Sequence, residues 1–150
     1  MKRIFVTIVL LFGLNLFSFA QNELSRLRYE TLWYEYEDEV SSGSLIMATK
    51  SSPAAIEAGL NNGNYDGIAI VSISDYVSDD TTAITLGYRI RTSEGRVDLI
   101  HPRTGAIPFY VKFRQGRAYL YSCDDVTRGG SYSLLFMMQE FNYKSVLSNR

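Results

Sequence analysis

The sequence predicts an α+β fold, with an antiparallel sheet covered on one face by helices. Three observations predict it. Residues 84–122 alternate apolar and polar side chains between short turn signals. Residues 21–83 supply further strand-like stretches that extend this meander. Two segments, beginning at Ser52 and Ser131, carry helical signals.

The meander carries the most information. Ile84, Leu86, Tyr88 and Ile90 alternate with Thr85, Gly87, Arg89 and Arg91, the period of a half-buried strand. Thr92-Ser93-Glu94-Gly95 is turn chemistry, and the alternation resumes from Arg96 to His101. A four-residue loop between Arg91 and Arg96 sets Ile90 opposite Val97 and Tyr88 opposite Leu99, so the apolar sets fall on one side. The next strand, Ile107 to Arg114, keeps Phe109, Val111 and Phe113 on that side only if the loop is Pro102 to Ala106. Gln115-Gly116 then closes a tight hairpin, with Phe113 opposite Ala118 and Val111 opposite Leu120. The opposite face collects Arg89, Arg91, Arg96, Asp98, Tyr110, Lys112, Arg114, Arg117, Tyr119 and Tyr121.

The chain opens on Lys2 and Arg3, an apolar run from Ile4 to Phe19, and Ser18-Phe19-Ala20 before Gln21. That order reads as a cleaved signal peptide over residues 1–20, and therefore as a secreted or periplasmic product. An uncleaved anchor is the competing reading, but Gly13 and Asn15 interrupt a run already short for a membrane span. No Cys stands at the cleavage point to take a lipid. Residues 21–150 then suit one globular domain, and no later segment is apolar enough to span a bilayer.

From Asn22 to Thr31 helical and strand patterns compete, since Leu24, Leu27 and Thr31 fit one and Leu27, Tyr29, Thr31 and Trp33 the other. Leu32 to Asp38 is aromatic and alternating, hence a strand, and its carboxylates are placed to face Arg89 and Arg91 if it lies beside the meander. Ser41-Ser42-Gly43-Ser44 reads as a turn, and Leu45 to Lys50 as a short strand. Ser52 caps a helix with Pro53 at its first position, and Asn61-Asn62-Gly63-Asn64 ends it. Gly67 to Ser74 is a strand whose Ile68-Ala69-Ile70-Val71 run implies burial on both faces. Ser78 to Thr82 reads as a loop, Asp124 to Gly130 as irregular. Leu134, Met138, Phe141 and Leu147 then recur near helical spacing, predicting a final helix over residues 131–147 that covers the sheet.

Charge is divided along the chain. Residues 21–83 hold 3 basic and 11 acidic side chains, a net of −8, whereas residues 84–150 hold 10 basic and 5 acidic, a net of +5. Such a split means either a basic half that binds a polyanion or two halves that neutralise each other.

Candidate chemistry is sparse. The single cysteine, Cys123, forms no intramolecular disulfide, and with the only histidine, His101, and a nearby Asp it supplies the residue types of a thiol hydrolase. The predicted register puts the two on opposite faces, and no known cysteine-nucleophile signature surrounds them. Asn62, Asn64, Asp66 and Gly67 imitate the start of a calcium loop, but Ile73 stands where a bidentate Glu belongs. Glu35, Glu37 and Asp98 are the carboxylates available for glycoside cleavage. One His and one Cys make no zinc site, and no phosphate-cradling loop or nucleophile elbow occurs.

The expectation is a non-enzymatic exported module that needs no cofactor or metal. Its binding residues are Arg89, Arg91, Tyr110, Lys112, Arg114, Arg117, Tyr119 and Tyr121, and its partner is an anionic envelope glycan or a protein, not a nucleic acid. The alternatives are a small hydrolase using Cys123 and His101, and an envelope assembly subunit linked through Cys123.

Overall fold

The computed structural model describes residues 23–125 and 130–141. Eight antiparallel strands follow one another around a closed barrel: β1 (Leu32–Glu37), β2 (Ser41–Thr49), β3 (Gly67–Asp75), β4 (Asp80–Arg91), β5 (Arg96–Ile100), β6 (Phe109–Arg114), β7 (Arg117–Cys123) and β8 (Tyr132–Glu140). The ring closes where Tyr34 and Glu35 of β1 pair with Glu140 and Gln139 of β8. One short helix, α1 (Pro53–Glu57), connects β2 to β3, and a single helical turn occupies residues 23–26.

The α+β expectation is therefore corrected to an all-β barrel. The apolar face of the meander is covered by its own continuation, not by helices, because eight strands enclose a lumen that side chains just fill. The expected helix at 131–147 is a strand through Glu140, followed by Phe141, whose amide donates to the Trp33 carbonyl; residues 142–147 lie outside the described residues. The reason is local and global at once. Leu120 pairs with Phe136 and Tyr121 with Leu134, so Leu135 is an extra residue in a bulge that breaks the period of two. Without this strand, β7 and β1 would each expose an unpaired edge. The Ser41–Ser44 stretch is strand β2, not a turn, and β4 begins within the expected loop at Asp80. Glu35 and Glu37 do not face Arg89 and Arg91, because β1 lies between β2 and β8, away from β4.

Within the meander the expected register holds: Tyr88 pairs with Leu99, Ile90 with Val97, Leu99 with Phe109, Val111 with Leu120 and Phe113 with Ala118. The inward residues from all eight strands form one core, in which Tyr34, Tyr88, Leu99, Val111, Leu120 and Met138 have no solvent exposure. Tyr36 stacks on Phe136 at 4.8 Å, and Phe136 occupies the space above Gly43, where a Cβ would lie 2.5 Å from the ring. Tyr34 and Phe113 meet across the lumen at 5.7 Å.

One end of the bore is plugged by the segment before β1. Leu24 and Leu27 enter the core, and the Tyr88 hydroxyl donates to the Leu27 carbonyl at 3.0 Å. The buried Glu23 accepts from the Tyr34 hydroxyl at 2.8 Å, and Arg26 ties Glu23, Glu30 and Glu140 together at 3.3, 2.8 and 2.6 Å. Outside the barrel, α1 starts as the sequence dictates, with the Ser52 hydroxyl accepting from the Ala55 amide. Its Ala55, with Leu60 just after it, packs against Ala48 and Ile68, which explains the two-sided burial of β3. An apolar lumen with charges on the outer wall is the reverse of a lipid-facing barrel. No helix among the described residues is long and apolar enough to cross a membrane.

Candidate functional site

A filled lumen leaves the outer wall to carry function. The outward positions of β4–β7 are those that the alternation selected. Successive strands present Arg89, Asp98, Tyr110 and Tyr121 in one cross-strand row, Arg91, Arg96, Lys112 and Tyr119 in the next, and Arg114 beside Arg117 in a third.

The geometry divides these residues into two groups. The first is occupied within the protein. Asp98 is buried although it points outward, and it is held by Arg91 at 3.2 Å and Arg96 at 3.0 Å. The Arg96 contact is an ion pair off the hydrogen-bonding angle, since neither of its two atoms has a hydrogen-bond partner among the described residues. Arg91 also pairs with Glu94 at 2.9 Å, and Arg89 donates to the Asn64 carbonyl. These three guanidinium groups neutralise a buried carboxylate and fasten a loop, which leaves them little capacity for a partner.

The second group is available. Lys112, Arg114 and Arg117 have no carboxylate partner among the described residues; Arg117 touches only the Met137 sulfur, at 3.9 Å, and Arg114 lies 5.9 Å over the Tyr119 ring. Tyr110 is stacked on Tyr121 at 4.7 Å, and Arg96 lies 5.1 Å from the Tyr110 centroid. Tyr132, on β8, meets Tyr110 at 4.9 Å and donates its hydroxyl to the Ile107 carbonyl at 2.6 Å. Loss of hydration raises its pKa above the ordinary phenol value.

Sequence reasoning missed the β8 contribution to this face. Leu134 pairs with Tyr121 and Met137 with Tyr119, so both point outward beside the tyrosines, and they are 49% and 41% exposed. Leu135 adds a third exposed aliphatic side chain at the bulge. The available signal was compositional: a Leu-Leu-Phe-Met-Met run too apolar for a strand with only one buried face.

The other candidate constellations do not assemble. Cys123 donates its thiol to the Gly130 carbonyl at 3.3 Å, while His101 Nδ1 accepts from the amides of Arg103 and Thr104 and so closes the β5–β6 loop. Each is committed locally, and no hydrogen bond joins them among the described residues. In the calcium-like loop, Asp66 accepts from the Ile90 amide at 2.7 Å, which fastens the loop to β4, and Asn62 accepts from the Asn64 amide at 2.9 Å, which closes a local turn. Among the described residues no three His, Cys, Asp or Glu side chains gather as metal ligands.

The eight residues singled out by sequence thus lie on one outer wall, with Arg89 and Arg91 spent internally and Lys112, Arg114, Arg117, Tyr110, Tyr119 and Tyr121 continuous with the exposed aliphatic strip of β8. Comparison with known proteins returns no match, whether to a family model, a curated protein or a solved structure.

Proposed function

We propose that this protein is a non-catalytic binding module, exported by its leader, that docks an acidic protein partner on the outer wall of β6–β8. The single observation carrying this reading is the juxtaposition of three cations, uncompensated among the described residues, with exposed Leu134, Leu135 and Met137 on one continuous surface. Soluble domains cover contiguous aliphatic surface unless a partner does so, and protein interfaces are enriched in Tyr, Met and Arg. Cations beside the strip select a partner bearing carboxylates and set its orientation.

A glycan partner fits the same wall less well. Stacking on a sugar needs a free ring face, whereas Tyr110 and Tyr121 stack on each other and Arg114 lies over Tyr119. Aliphatic side chains add nothing to the recognition of an anionic polymer.

The test is site-specific photo-crosslinking in the native envelope from position 135, with position 83 on the far side of the barrel as control. The expected outcome is a discrete protein adduct from position 135 only, lost in Arg114→Glu/Arg117→Glu and weakened by added salt. Adducts that are equal at both positions, or insensitive to both the charge reversal and salt, exclude this reading.

A further inference from the structure

We propose that the trough on the outer wall of β1–β3 is a binding site for a neutral saccharide. Its middle strand, β2, lies four strands from β6 in either direction, while its edge strand β1 meets the docking face at the β1–β8 seam, where Glu35 pairs with Gln139.

The trough has a volume of about 320 Å³, within the range of small-molecule sites. Its floor is a grid fixed by strand register. Glu35, Ser44 and Ser72 form one cross-strand row, and Glu37, Ser42 and Ser74 the next. Neighbours within such a row are roughly 5 Å apart and successive rows roughly 7 Å apart, spacings that suit adjacent hydroxyls of a sugar chain. Tyr76 stands at the end as a wall, 47% exposed, with its hydroxyl donating to Glu37 at 3.0 Å.

Two features separate this trough from an ordinary solvated surface. The same strands carry Ile46 and Ile70 at their next outward positions, so the change to four serines is positional. Serine lacks the branched or aromatic bulk that strands favour; the Ser74 hydroxyl bonds Thr81 at 3.1 Å, but those of Ser42, Ser44 and Ser72 have no partner among the described residues, and a local rule broken there without a structural gain marks a functional surface. The floor is also rigid. Directly beneath Gly43, which separates Ser42 from Ser44, the Phe136 ring fills the lumen and is itself stacked on Tyr36. A grid of hydroxyls held on a packed support meets a ligand with little ordering cost.

The chemistry of the lining selects the ligand. Serine hydroxyls donate and accept, and a carboxylate accepts from two hydroxyls at once. Glu35 has no hydrogen-bond or ionic partner among the described residues, and Glu37 has only Tyr76. No Arg or Lys lines the trough, which disfavours phosphate, sulfate and uronic acids. A neutral sugar satisfies the whole set: hydroxyls for Glu35 and Glu37, acceptors for the serines and a C–H face for Tyr76. An organic cation would use the carboxylates but leave most of the serine grid without a role.

The test is amide chemical-shift titration of the full mature chain with the tetrasaccharides of N-acetylglucosamine, glucose (α1→4) and xylose, and with tetralysine as the cationic probe. The expected result is saturable movement of the Ser42–Ser44 and Ser72–Ser74 amides by at least one saccharide, with a Kd on the order of millimolar. Ser44→Val/Ser72→Val should weaken this at least about tenfold without lowering the unfolding midpoint, because valine suits the strand better. Glu35→Gln, on an exposed side chain that supports no other contact, provides the second arm and should weaken binding severalfold. Arg114→Ala, on β6 and four strands from β2, should leave it unchanged, which separates this site from the docking face. The proposal is overturned if none of the three saccharides moves these amides at about 20 mM, if tetralysine alone does, or if both variants bind as the parent.

Discussion

The outer walls of β1–β3 and of β6–β8 are built on one lumen and have almost nothing else in common. The first is floored by serines and carries two carboxylates; the second is aromatic and aliphatic, with three cations that have no carboxylate partner among the described residues. Beneath both, the inward residues obey the same demand, since Leu45 and Val71 on one side are as buried as Val111 and Leu120 on the other. The lumen fixes every second residue and leaves the alternate ones free, so the two walls can differ in chemistry without disturbing the core. The charge split along the chain follows from this arrangement. The acidic first half and the basic second half form different walls, and the carboxylates of β1 do not neutralise the arginines of β4. Where charges do pair, as at Asp98 and around Arg26, they fasten structure.

The comparison is broken most severely from inside. Tyr34→Ala removes a fully buried ring from the lumen together with the hydroxyl that holds Glu23, and should cost about 3–5 kcal/mol in denaturant unfolding. Both walls should fail together, because they share that support.

The plug gives the next effect. Tyr34 and Tyr88 have phenol pKa values raised above the ordinary 10, by burial first and then by Glu23 for Tyr34 and Asp66 for Tyr88. Raised folded-state values mean that the folded protein keeps protons the unfolded chain releases. Their contribution is therefore complete below about pH 10 and is lost as pH rises through the folded values. Unfolding followed against pH should show stability falling above about pH 10. In Tyr34→Phe/Tyr88→Phe that fall should be shallower, from a lower starting stability because two buried hydrogen bonds are gone.

Arg26→Met should sharpen the role of charge as a fastener. It leaves the buried Glu23 with only the Tyr34 hydroxyl and removes the tie to Glu140, so a loss of roughly 1–3 kcal/mol is expected, with protection from hydrogen exchange reduced first in residues 23–30. On the walls themselves the effects should be smallest. Lys112→Glu and Ser72→Val should each move the unfolding midpoint by no more than the equivalent of about 0.5 kcal/mol. A large loss from either would mean that the outer wall is structural after all.

How much of this was legible depended on whether the pairing was local. From Ile84 to Ser122 each strand meets the next across a short loop, and the odd-even choices at 92–95 and 102–106, with the tight hairpin at 115–116, fix the cross-strand partners. The closure between β1 and β8 rests on two residue pairs from opposite ends of the described chain, and no local pattern announces such a contact. Two local signals also pointed the wrong way. Ser41-Ser42-Gly43-Ser44 has the composition of a turn because its outward side chains floor the trough and its inward glycine makes room for Phe136. The bulge at Leu135 displaced the alternation of β8 into something close to a helical stripe. Alternation likewise found the cations of the docking face, but it could not show that Arg91 and Arg96 are consumed by Asp98, a residue that points outward and is buried all the same.

The central claim is that recognition resides on the outer wall of β6–β8 and is separable from the fold. Partner capture and denaturant midpoint, measured side by side for Leu134→Ser/Met137→Ser, test it most directly. The expected result is loss of the partner with the midpoint almost unmoved. A partner retained at full strength by a folded variant would contradict it.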